Sequence, residues 1–261
     1  VNYFRYDYPR PEDRTRPFSI TTDMTTTPWN ENTRLLRVGL RGYDVPRRGR
    51  PAANLVFLVD VSGSMDSIDK LPLVQCSLAL LANRLNPRDR VSIVVYAGAA
   101  GLVLPATSNR AEIIDALDRL KAGGSTAGAA GIQLAYRTAR ENMIEGGINR
   151  VILATDGDFN VGTVNLEQLK DLVGEKRKSG IALSTLGFGA GNYNDALMEQ
   201  IADIGNGNYA YIDTLNEARK VLVEEMSSTM LTVARDVKIQ VEFNPAVVSE
   251  YRLIGYENRA L

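Results

Sequence analysis

The chain has no histidine among its 261 residues. That absence removes imidazole as a general base, the Ser-His-Asp and Cys-His nucleophile systems, and zinc sites built on histidine. There is one cysteine, Cys76, which excludes an intramolecular disulfide and any cysteine-rich metal cluster. No apolar stretch approaches the roughly 18 residues of a membrane span. Net charge is nearly absent as well, with 30 Lys and Arg against 31 Asp and Glu. No bulk field therefore draws the chain to nucleic acid or to an anionic membrane. A metal, if present, must be held by oxygen.

What remains is a composition that supports a core, 44% hydrophobic and 23% charged, spread over three textures. Residues 1–52 are rich in Pro, Arg and Tyr. The first 50 carry 10 basic and 6 acidic residues, whereas the rest carry 20 and 25. Leu36, Val38 and Leu40 alternate with Arg37, Gly39 and Arg41, the period of a half-buried strand, and the Thr-rich Phe18–Thr27 also reads as strand. Residues 53–231 alternate short apolar runs with helical patterns, the signature of a mostly parallel sheet wrapped by helices. Strands are expected at 54–59, 90–96, 150–155, 181–187 and 208–212, with a small antiparallel addition at 101–104. Helices are expected at 71–85, 110–120, 129–142, 166–179, 195–204 and 215–231. Thr214 precedes Glu217 at capping-box spacing, Asn165 can cap the helix opened by Leu166, and Pro72 falls in a first turn. Residues 232–261 return to alternation, with Val237, Ile239, Val241 and Phe243 on one side and a further strand at 251–254. The expected architecture is an α/β domain inserted into a small antiparallel β-sandwich-like unit, since the termini of a domain often lie close together.

The chemistry concentrates where the first apolar run of the α/β block ends. Asp60, Ser62 and Ser64 place a carboxylate and two hydroxyls at alternate positions just after Asn54–Val59. Ligands of open α/β sheets bind beyond the carboxyl ends of the strands. Two other segments should meet there: the loop 123–128, Gly-Gly-Ser-Thr-Ala-Gly, and Thr155-Asp156-Gly157 after the strand at 150–155. All these donors are hard oxygens, which suit Mg²⁺ first, with Ca²⁺ and Mn²⁺ also compatible.

This set resembles the von Willebrand factor A fold with its metal-ion-dependent adhesion site. The family pattern is Asp-x-Ser-x-Ser, then a distant Thr after glycines, then a distant Asp within Thr-Asp-Gly. Here these fall on Asp60, Ser62, Ser64, Thr126 and Asp156. The chain has Gly-Gly-Ser-Thr where the family often has Gly-Gly-Thr; counting back from Ile132 in the following helix favours Thr126, with Ser125 as the alternative. The resemblance implies a Rossmann-like domain over about residues 53–230. It also implies a divalent cation bound by the Ser and Thr hydroxyls, with the two aspartates acting directly or through water. A protein partner's Asp or Glu would complete the coordination. The arrangement of an A domain between β-rich segments resembles bacterial proteins of the YfbK type, which implies the cell envelope.

Other features have plainer readings. Asp66 and Asp69 suit a helix start, although in some A domains acids there make a second cation site. Cys76 reads as core, and Arg47-Arg48-Gly49-Arg50 as a solvated linker. Tyr3, Tyr6 and Tyr8 read as packed on the β unit, and Trp29 as a turn anchor. Competing with the adhesion module are a scaffold in which metal only stabilises and, more remotely, a Mg²⁺-dependent phosphohydrolase. The latter needs a second acid two residues after the first aspartate. That position is Ser62, so a non-enzymatic binding module is expected.

Overall fold

The computed structural model describes residues 6–12, 15–43, 50–124, 128–157, 166–189, 194–224 and 237–254. The chain divides into two compact units, Val1–Asp44 with Thr232–Leu261, and Val45–Leu231.

In the first unit the alternation at 36–41 and the Thr-rich run become one antiparallel hairpin. Strand β1 is Phe18–Thr27 and β2 is Asn30–Gly42, joined by a turn at Pro28-Trp29. The register pairs Ile20 with Leu40, Thr22 with Val38 and Met24 with Leu36, which gathers the apolar side chains on one face. On the other face Asp23 and Arg37 form an ion pair of 2.6 Å. Tyr6 and Tyr8 stack with centroids 5.2 Å apart, and the Arg37 guanidinium lies over both rings. Tyr8 also lies against Gly39, where an added Cβ would collide with its ring. Tyr3 lies outside the described residues.

The strands expected at 237–243 and 251–254 are not formed. Residues 237–254 contain turns but no strand, and Val237, Ile239 and Val241 are exposed. Alternation encodes a two-faced surface. It does not supply the neighbouring edge that a strand's N–H and C=O groups require. The sheet of this unit is thus two-stranded among the described residues, without the second layer of a sandwich.

The second unit is built around strand β3, Ala53–Asp60, every residue of which is buried. A continuous apolar run is what a strand covered on both faces needs. Around it lie β4 Arg90–Tyr96, β5 Ala100–Thr107, β6 Ile148–Thr155, β7 Ala182–Phe188 and β8 Asn206–Ile212. Their order is β5-β4-β3-β6-β7-β8, parallel except for the β4–β5 hairpin. Leu55, Phe57 and Val59 pack with α1 Leu71–Ala82, α2 Arg110–Asp118 and Ala218 of α6 Leu215–Arg219. Val56 and Leu58 pack with α3 Gly128–Glu141, α4 Leu166–Arg177 and α5 Asp195–Ile204 on the opposite face. The sheet is therefore sandwiched between two helical layers.

Thr214 caps α6 as its spacing implies, accepting from Glu217 N at 3.2 Å. The α6 helix then passes into a π turn over Lys220–Glu224, and the rest of the helix expected to reach 231 lies outside the described residues, as does Asn165. Two expectations are corrected. Cys76 is exposed: α1 buries Leu71, Val74, Leu78 and Leu81, and position 76 falls on the far side of that stripe. Arg50 is buried at 4% exposure and ion-paired with Asp89 rather than solvated. A run of arginines in the sequence does not reveal that one of them has a buried carboxylate 39 positions away. Residues 47–49 lie outside the described residues.

Candidate metal centre

Strands β3 and β6 are central neighbours, and the chain leaves β3 towards β4 on one side while β6 leads to β7 on the other. That reversal opens a crevice beyond their carboxyl ends. The parallel register sets Asp60 beside Tyr96 and Val59 beside Ala154, so the side chains of Asp60, Tyr96 and Thr155 converge.

Asp60 is fully buried. Its Oδ1 accepts from Ser62 N at 2.9 Å, and its Oδ2 accepts from Tyr96 Oη at 3.1 Å and Thr155 Oγ1 at 3.0 Å. All three donors are neutral. Burial raises the Asp60 carboxyl above its ordinary value, opposed by hydrogen bonds from Ser62 and Thr155 and assisted by the charge of Asp156. Burial, and then the neighbouring Asp60, push the Tyr96 phenol well above its usual range, so it remains a protonated donor.

Ser62 is 2% exposed and stands at the N-cap of a 3-10 turn, Gly63–Asp66. Its side chain makes no capping bond. Its hydroxyl instead lies 3.1 Å from that of the exposed Ser64. Asp156 is 5% exposed, and its Oδ2 accepts from Lys70 Nζ at 2.8 Å. The following Gly157 has φ +79° and turns the chain sharply, donating from its N–H to Thr155 Oγ1 at 3.2 Å. Gly123 N donates to Val61 O at 2.8 Å and Gly63 N to Gly124 O at 3.0 Å, with Gly124 at φ +84°. The glycine loop is thus tied directly to the Asp60-x-Ser62-x-Ser64 segment. Ser125 and Thr126, the next residues, lie outside the described residues.

Four of the five expected residues, Asp60, Ser62, Ser64 and Asp156, therefore lie at the carboxyl ends of β3 and β6. Tyr96 and Lys70 join them without having been singled out for the site, and Thr155 joins them from the Thr155-Asp156-Gly157 segment expected there. Tyr96 had a readable signal, as the polar end of an apolar run parallel to Asn54–Val59. Lys70 had none, being one lysine before an apolar helix. Asp69 accepts from Ser67 Oγ at 2.6 Å, and Asp66 is an exposed member of the 3-10 turn.

Among the described residues no three His, Cys, Asp or Glu side chains gather as a metal cluster. The donors here are instead hydroxyls and two carboxylates, and they suit a hard cation. Cis ligands of an octahedral Mg²⁺, each about 2.1 Å from it, lie about 3 Å apart, close to the 3.1 Å between the Ser62 and Ser64 hydroxyls. The Asp60 carboxylate supplies a buried negative charge that no basic side chain among the described residues pairs with.

Comparison with known proteins agrees with this fold. The von Willebrand factor type A domain family matches residues 54–225. A von Willebrand factor family matches residues 1–37, and the C-terminal family of the uncharacterised protein YfbK matches 228–261. Over its full length the chain is 51% identical to the uncharacterised protein YfbK of Escherichia coli (strain K12), of which it spans 47%. Among solved structures it resembles the conserved hypothetical protein BatB from Bacteroides thetaiotaomicron. That likeness has TM-score 0.59 and 23% identity, over 68% of this chain and 98% of that one. It also resembles proximal thread matrix protein 1 from the mussel byssus, whose structure has a zinc-occupied MIDAS motif. There the TM-score is 0.54 and the identity 22%, over 69% of this chain and 46% of that one. At these identities the structural likenesses speak to fold.

Proposed function

The chain belongs to the von Willebrand factor type A family, in its bacterial YfbK type, and from that premise we propose that Asp60, Ser62, Ser64, Thr126 and Asp156 hold a divalent cation to which a protein partner adds an acidic side chain. Domains of this family generally mediate metal-dependent protein interactions and are generally not enzymes. The observation that carries the reading is the fully buried Asp60 carboxylate, bonded only to neutral donors beside two hydroxyls 3.1 Å apart. The cation answers the carboxylate charge. Hydroxyl ligands are neutral, so they leave the cation enough positive charge to draw in an anion. Mg²⁺ is the preferred occupant. Ca²⁺ and Mn²⁺ share its taste for oxygen, and the zinc in the mussel protein makes zinc worth testing.

The chain's own residues divide the work. Tyr96, Thr155 and the Ser62 N–H orient Asp60, Gly123 and Gly124 are tied to the segment of the motif, and Lys70 holds Asp156. No histidine stands by as a base, and the position two residues after Asp60 is a serine, which supports binding over phosphoryl hydrolysis. The family matches on either side of the A domain and the pairing of both chain ends in one compact unit support the further reading that this domain is inserted within a second one. No described helix is long and apolar enough to cross a membrane.

The test is a thermal-shift titration with Mg²⁺ on the wild type and Asp60→Ala. A ligand at a hundred times its Kd stabilises by about 2.7 kcal/mol, roughly 5–10 °C for a chain of this size. The wild type should show that rise and the variant none. Equal rises in both would sink the assignment.

A further inference from the structure

Lys70 occupies an unusual position beside this site. Its ammonium donates to Asp156 Oδ2 at 2.8 Å and to Ser64 O at 2.9 Å, joining the segment after β3 to the segment after β6. The two side chains are 19% and 3% exposed. The lysine stem is held as firmly as its head. It packs on Gly189, where an added Cβ would lie 2.6 Å from both Cγ and Cε of Lys70. Gly189 itself has φ +83°, and its carbonyl accepts from Tyr211 Oη at 2.9 Å. A long flexible side chain is thus seated with a fixed positive charge against one of the two acids of the site.

A flexible surface lysine would be a weak contributor to any such pair. A seated one bears on both binding events. In the loaded site the carboxylates of Asp60 and Asp156 contribute two negative charges, the cation two positive and Lys70 one more. The loaded site is then net positive by one charge, whereas without Lys70 it would be neutral. Resting on the cation reading above, we propose that Lys70 sets the specificity of the site: it lowers affinity for the divalent cation and makes the loaded site selective for an anionic, carboxylate-bearing third partner. Lys70 competes with the cation for Asp156 and repels it. The same charge then attracts the carboxylate that completes the assembly.

Calorimetric titration of Mg²⁺ tests this in chloride and in acetate at equal ionic strength, with the wild type, Lys70→Met and Lys70→Arg. Methionine keeps much of the stem volume and removes the charge. Lys70→Met should bind Mg²⁺ about tenfold more tightly than wild type, because a positive charge close to the site in a poorly screened environment has been removed. Acetate should tighten Mg²⁺ binding to the wild type severalfold, by reciprocal linkage between the two ligands, and tighten binding to Lys70→Met by much less, through the cation alone. Lys70→Arg should behave as the wild type. Lys70→Gln, which retains a donor for Asp156, carries the same expectation as Met and replaces it if the Met variant does not fold. Mg²⁺ affinity equal to or weaker than wild type in the uncharged variants, or an acetate effect as large in them as in the wild type, overturns the role of Lys70 while leaving the cation site standing. Absence of Mg²⁺ binding in every protein overturns the site and the role of Lys70 together.

Discussion

Asp89 and Asp60 are enclosed carboxylates at opposite ends of the central strands, and their charges are answered in different ways. Asp89, just before β4, is 1% exposed. It pairs with the buried Arg50 guanidinium and accepts from Ala53 N at 2.8 Å and Asn86 N at 2.7 Å. Asp60, at the end of β3, is equally enclosed, but its donors are a phenol, a hydroxyl and an amide. A buried charge is expensive unless paired. The amino end of the sheet resolves that cost within the chain with Arg50, whereas at the carboxyl end Asp60 meets only neutral donors. On the proposed reading the same sheet has a permanent lock at one end and a seat for a cation at the other.

The same substitution at both positions is the strongest way to break this comparison. Asp89→Asn strands the Arg50 guanidinium in the core and should cost about 3–5 kcal/mol of stability, read by urea unfolding and unaffected by Mg²⁺. Asp60→Asn removes a poorly tolerated charge and should cost about 1 kcal/mol or less in chelator, yet abolish the Mg²⁺-induced rise. Similar losses at both sites in chelator would mean that Asp60 is a structural acid like Asp89. Tyr96→Phe sharpens the picture. It deletes one donor to Asp60 and should cost about 1.5 kcal/mol while retaining a Mg²⁺ response, since the phenol orients the acid from within the fold.

The smallest effect is one of pH. The Asp60 carboxyl is raised in the fold above its ordinary 3.8, so its contribution to stability is fully present below 3.8 and is lost as pH rises through the raised value. In chelator, the stability of wild type relative to Asp60→Asn should fall with rising pH across that window. With saturating Mg²⁺ the trend should reverse, because the cation binds only the carboxylate form. Unfolding midpoints of the two proteins at a series of pH values, with and without Mg²⁺, read both slopes.

Much of the α/β unit was legible because its strands are buried on both faces and its helices are amphipathic. Strand β4 and helix α5 fall at the expected residues, and the other described boundaries move by a few positions where ends fray, apart from the helix expected to reach 231, whose α segment ends at Arg219. Asp60, Ser62, Ser64 and Asp156 were legible because the topology of parallel sheets places chemistry at strand ends. What failed depended on partners remote in sequence. The exposure of Cys76 required knowing which stripe of α1 faces the sheet, the burial of Arg50 required Asp89, and the strand pattern at 237–243 required an edge to pair with. Lys70 was invisible for the same reason: its meaning lies in Asp156 and Gly189, 86 and 119 positions away and met only in the fold.

The most direct measurement of the central claim is the stoichiometry of Mn²⁺ binding by electron paramagnetic resonance, on the wild type and on Asp60→Ala with its fold verified. One Mn²⁺ bound per wild-type chain, displaced by Mg²⁺ and lost in the variant, is the predicted result. A wild type that binds none, or a variant that binds as the wild type does, would contradict the account.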